Sequence, residues 1–154
     1  LYSSAASDVY KRQGEMAGKV LPEAFTCFTL SLDNLSELTK RFGYTVGDGV
    51  LKDFAGLVQL MGDTEGMRGY NGVGRFVVFF EECSSKKAAA MIRILDNQVE
   101  EYNSLNPEYP IRYTAAWATT EETDTYEIRE LLRLSQKKWK QMEKEKKDKT
   151  EEET

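Results

Sequence analysis

The sequence predicts an α+β domain whose mostly antiparallel central sheet is flanked by helices, close to a split βαβ core. Three observations carry this. Residues 25–33 and 111–119 alternate apolar and polar side chains with the period of a strand. Residues 76–80, FVVFF, are continuously apolar, as suits a central strand buried on both faces. Between these pieces run longer stretches with apolar residues at helical spacing, and a glycine-containing turn at residues 71–74 marks a hairpin in the middle.

In chain order, Phe28, Leu30 and Leu32 alternate with Thr29, Ser31 and Asp33 to define the first strand. Leu35, Leu38 and Phe42 then recur at helical spacing, and Gly43 is a natural stop. A second helix is expected over residues 45–61, where Val50, Leu51, Phe54, Val58 and Met61 make one stripe. Thr45 followed by Asp48 resembles a capping box at its start. Residues 67–80 form the hairpin candidate. A long helix over residues 84–105 buries Ala88, Met91, Ile92, Leu95, Val99 and Tyr102. Ile111, Tyr113, Ala115 and Trp117 alternate in the last strand. A final helix over residues 126–144 carries Ile128, Leu131, Leu132 and Leu134. The domain spans residues 22–144; residues 145–154 are a charged tail with nothing to bury and are expected to be a frayed helix or disordered. Residues 1–13, LYSSAASDVYKRQ, show no periodicity and read like a translated cloning adapter, outside the natural fold.

Bulk composition narrows the function. The 154 residues suit one domain, and 26 acidic against 21 basic residues leave a net charge of −5. That balance disfavours a nucleic-acid binder. No apolar run approaches the ~18 residues of a membrane span. Cys27 and Cys83 match no metal spacing and read as buried free thiols of a reducing cytoplasm. Histidine is absent, which removes Ser-His-Asp and Cys-His mechanisms.

The stretch SLDNLSELTKRFGYTVGDGVL, from Ser31 to Leu51, resembles the GGDEF family, a nucleotidyl-cyclase-like fold of bacterial cyclic di-GMP signalling. Asp33, Gly43, Gly47, Asp48, Val50 and Leu51 fall in register with the family's Asp-x-Asp-x-Phe-Lys to Gly-Asp-x-Val-Leu run, without a gap. GVGRFVVFF occupies the place of the name motif and its strand, and the strand after residue 111 is similar to the family's Ile-x-Val-Thr-Val-Ser-Ile-Gly.

The resemblance implies an enzyme that joins two GTP molecules, each held by one protomer of a dimer. Hard divalent cations held by carboxylates would neutralise the phosphates. The positions matching those carboxylates here are Ser31 and Gly74 or Arg75, so no metal is expected; Mg²⁺ enters only if the chain is nevertheless an active cyclase. Gly72 matches the first motif glycine, but Val73 replaces the second; a β-branched residue there is stiff and would be strained if the turn needs a positive φ. Thr39 and Asp48 match the guanine-reading positions; Asp48 also reads as the helix cap already described. The phosphate-contacting lysine of the last helix falls near Glu143, of opposite charge. Residues 63–66 lack the Arg-x-x-Asp inhibitory pattern. The expectation is a cytoplasmic, catalytically silent module with vestigial nucleotide positions Asp48, Thr39, Gly72 and Arg75, weak binding of GTP or another guanine nucleotide, and a homodimer or partner signalling domain as its associate. The alternative is an active diguanylate cyclase.

Overall fold

A computed structural model describes residues 24–62, 67–70, 72–123 and 127–153. Residues 1–13, 63–66 and Asn71, on which sequence expectations fell, lie outside the described residues. The elements are β1 (Thr26–Leu32), α1 (Leu35–Phe42), α2 (Tyr44–Gln59), β2 (Met67–Tyr70), β3 (Arg75–Phe80), α3 (Ser85–Leu105), β4 (Tyr113–Thr119), a 3₁₀ turn (Thr120–Glu122) and α4 (Ile128–Glu153). The strands form one sheet in the order β2-β3-β1-β4, with every neighbouring pair antiparallel. The α+β architecture expected from the alternation is therefore present.

The period of two in β1 sorts its side chains to two covered faces. Phe28, Leu30 and Leu32 join Leu38, Val50, Phe54, Val58, Val78, Phe80, Leu95 and Ile111 in the larger core under α1, α2 and α3. Phe25 and Cys27 join Val77, Phe79, Ala118, Ile128 and Leu131 under α4. Both faces are apolar at this end of the sheet, which is why β3 reads as a continuous apolar run. Full burial of each large side chain contributes about 1.5–3 kcal/mol before entropy is counted.

The polar half of β1 is buried too. Thr29 and Ser31 are 3% and 4% exposed, covered by α4. Ser135 Oγ lies 2.8 Å from Thr29 Oγ1 and 3.3 Å from Cys27 Sγ. The Trp139 Nε1–H donates to Ser31 Oγ at 2.8 Å.

One local expectation is corrected. No capping box starts α2: Gly43 is the N-cap, no side chain caps the end, and Thr45 sits inside the helix. Gly43, at φ 96°, is the whole connection between α1 and α2, so the loop that would place Thr45 as a cap does not exist. Asp48 instead pairs with Lys52 at 3.0 Å, one turn along. The charged tail is helical, since α4 continues to Glu153. The Lys146 ammonium donates to Tyr113 O at 2.8 Å and to Thr114 Oγ1 at 2.7 Å, which fastens the helix to β4 beyond its apolar stretch. Lys and Glu, which fill this segment, are themselves good helix formers.

The turn between β2 and β3 is tight. Gly72, Val73 and Gly74 all have positive φ, at 78°, 51° and 78°. The Arg75 N–H donates to Gly72 O at 3.1 Å, which puts Val73 and Gly74 at the centre of a turn of the primed, hairpin-forming kind. Only Gly74 is suited to that conformation. Val73 is β-branched, left-handed and 78% exposed, so it carries backbone strain without a packing gain. Val73→Gly should therefore raise stability by about 1 kcal/mol, the relieved strain exceeding the added unfolded-state entropy. Urea denaturation of both forms measures this; an unchanged or lower midpoint contradicts the strain.

Candidate functional site

The C-terminal end of β1, the start of β3 and the middle of α4 converge on one cluster. Ser31 is paired across the sheet with Arg75. Ser31 Oγ accepts from Trp139 and donates to Asp33 Oδ1 at 2.6 Å. Thr114 Oγ1 donates to Asp33 Oδ2 at 2.5 Å, and Lys146 Nζ lies 3.7 Å from the same oxygen. The Arg75 guanidinium stands over the Trp139 ring, 4.5 Å from its centroid, a cation–π contact.

Glu143, one turn beyond Trp139, completes the cluster. Loss of solvent raises its carboxyl above the ordinary value of 4.5, and the hydrogen bond to Asp33 and that group's negative charge raise it further; Lys147 and Arg75 pull it down. The cluster opens onto a groove of about 820 Å³, whose walls include Asp33, Arg112, Glu143 and Lys147.

Of the positions that the sequence singled out, Ser31, Gly74 and Arg75 lie together here. Gly74 is buried; its carbonyl accepts from Leu32 N–H at 2.8 Å, and a Cβ on it would come within 3.1 Å of Leu32 O. Gly72 and Val73 form the adjacent turn. Thr39 and Asp48 sit apart from the cluster, on α1 and α2. Thr39 Oγ1 donates to Leu35 O at 2.8 Å, within its own helix, and a Cβ on Gly47 would collide with that hydroxyl. Thr39 thus belongs to the close α1–α2 contact. Asp48 keeps a carboxylate that is 30% exposed and shared with Lys52.

Three participants escaped the sequence reading: Trp139, Lys146 and the pairing of Asp33 with Glu143. A signal existed for the first, because Leu131, Ser135 and Trp139 recur every four residues along the buried side of α4. Cys27 is a buried free thiol whose burial pushes it up to about 12, so it is no nucleophile.

The residues at positions 31, 74 and 75 do not fit a hard divalent cation. Ser31 contributes a neutral hydroxyl already engaged on both sides, Gly74 has no side chain, and Arg75 brings a positive charge. Among the described residues no group of three or more Asp, Glu, Cys or His side chains could hold a metal ion.

A sheet of this order, with a glycine hairpin beside the end of β1 and helices on both faces, defines a nucleotidyl-cyclase-like domain. The family model described as "Diguanylate cyclase, GGDEF domain" matches residues 11–149, and the chain belongs to this GGDEF family of cyclic di-GMP signalling. Solved structures share the fold at low identity. The active GGEEF domain of a diguanylate cyclase from Vibrio cholerae is 17% identical with a TM-score of 0.72, covering 94% of this chain and 88% of that one. The GGDEF domain of DgcB from Caulobacter crescentus, in complex with c-di-GMP, is 14% identical with a TM-score of 0.71, covering 86% and 79%. The FimX GGDEF domain from Pseudomonas aeruginosa is 17% identical with a TM-score of 0.68, covering 87% and 83%. No curated protein matches the chain.

The raised Glu143 carboxyl has a consequence for stability. The folded state holds this proton more tightly than the unfolded chain, so the stability it contributes is fully present below pH 4.5 and is lost as pH rises through the raised value. Glu143→Gln cannot ionise and can still donate to Asp33. The variant should match the parent near pH 4, exceed it at pH 7, and show a flatter fall between them. Denaturant titrations across that range read this directly, and a parent no less stable than the variant at pH 7 would refute it.

Proposed function

We propose that this domain is a catalytically silent GGDEF module. In this reading it serves cyclic di-GMP signalling by regulation or interaction, with weak residual binding of a guanine nucleotide. The observation that carries it is the composition of the Ser31–Gly74–Arg75 cluster. Both positions that the family resemblance assigns to metal carboxylates lack one, and a guanidinium and an indole take up the space beside them. Phosphoryl transfer between two nucleotides depends on neutralising concentrated negative charge, and a bound cation is usually the largest local charge available. Losing even one preorganised electrostatic stabiliser costs roughly 3 kcal/mol, about a hundredfold in rate. Asp48 supports residual nucleotide recognition. Its ion pair with Lys52 is on the surface and therefore weak, which leaves the carboxylate able to accept from a guanine edge.

Two measurements test the proposal. Product analysis at high protein concentration, with GTP and Mg²⁺ or Mn²⁺, should find no cyclic di-GMP above a no-enzyme control. Calorimetric titration of GTP should give a weak affinity that is nearly the same with and without Mg²⁺. Steady turnover, or an affinity that rises steeply on adding Mg²⁺, would replace this reading with an active diguanylate cyclase. Restoring activity should take at least Ser31→Asp, Gly74→Asp and Arg75→Glu together with Val73→Gly, and the turn must also shift to admit a side chain at position 74.

A further inference from the structure

The face of α4 turned away from the sheet is basic along most of its length. Arg129, Arg133, Lys137, Lys140, Lys144 and Lys147 are all exposed. Their spacings of four, four, three, four and three residues average the helical repeat. They therefore fall within a sector of about 80° and run parallel to the axis for about 27 Å. Leu131, Ser135 and Trp139, which meet the sheet, lie on the opposite side. Six positive charges in one row stand out on a chain whose net charge is −5.

The row is also narrow. Glu130, Glu145 and Asp148 flank it on one side and Glu143 on the other, and Glu151 closes its C-terminal end. Arg133 is shared with Glu130 at 3.1 Å, so the middle of the row, Lys137, Lys140 and Lys144, carries the argument. A planar anionic surface approaching this helix would meet the acidic flanks together with the row. A slender acidic segment would meet the row alone.

We infer that the outer face of α4 docks an acidic segment of a partner protein, helical or extended, laid along the helix. Charge complementarity selects its sign, and the acidic flanks select its width. Lys137, Lys140 and Lys144 lie across α4 from Ser31 and Trp139, while Lys147 at the C-terminal end of the row borders the groove of the cluster; the inference stands whether or not the cluster is catalytic. Contacts of this kind are solvent-exposed, so they set association rate and salt dependence more than tight affinity.

The test uses the full chain and a fluorescein-labelled acidic peptide of roughly 20 residues, long enough to cover the row, with glutamates on one helical face. Anisotropy should report binding that weakens steeply between low and physiological salt. Lys137→Glu/Lys140→Glu/Lys144→Glu should weaken it by about tenfold or more, since three attractions become repulsions. Lys86→Glu/Arg93→Glu, at exposed basic positions on α3, should leave it unchanged. All three lysines are exposed, so the triple variant should melt with the parent; the corresponding Lys→Gln triple gives an intermediate loss if it does not. Binding that survives the triple reversal overturns the inference. So does an absence of peptide binding, or tighter binding to phosphatidylglycerol–phosphatidylcholine vesicles or to duplex DNA than to the peptide.

Discussion

The docking of α4 on the polar side of β1 is the contact on which the rest of this domain depends. Alternate residues of a strand are about 6.6–6.8 Å apart, and residues four apart on a helix rise about 6 Å, so a helix laid along a strand can match it side chain for side chain. Here the match is polar. Ser135 meets Cys27 and Thr29, Trp139 meets Ser31, and Glu143 meets Asp33. Buried hydroxyls without partners would each cost free energy, and this pairing satisfies Thr29 and Ser31 from the helix itself. The strand is consequently covered on both faces although half of it is polar.

That contact also decides the character of the cluster at the strand's end. Once Trp139 reaches Ser31, its ring offers a face to Arg75, which the antiparallel register places directly across from Ser31. Asp33 is then surrounded by hydroxyl donors, with the Lys146 ammonium beyond them. Only Glu143 is left in an unfavourable setting, close to another carboxylate. The cluster is a structural joint between sheet and helix, built from charged and polar groups.

The hairpin shows the opposite economy. Its turn demands three successive residues at positive φ, and the chain supplies glycine at only two of them. Gly74 is held against Leu32 and Leu35, where any larger side chain would press on the backbone. The two halves of the candidate site are therefore constrained differently: the α4 side by satisfied hydrogen bonds, the hairpin side by strain and close approach.

Much of this was legible in the sequence. Period two and period 3.6 located β1, β4 and the helices, the apolar run of β3 announced a central strand, and Gly43 and the hairpin glycines marked their turns, because local sterics and burial act through neighbouring residues. The resemblance over Ser31 to Leu51 identified the family for the same reason, being a local pattern. The structure alone decided that α2 starts one residue after Gly43 without a side-chain cap, since that depends on how closely two helices abut. It alone extended α4 to Glu153, because the anchor for Lys146 is a carbonyl on β4, more than thirty residues earlier. And it alone brought Trp139 to Ser31 across 108 positions of chain, a contact with no local signature, since it follows from the matched rise of a helix and a strand packed face to face.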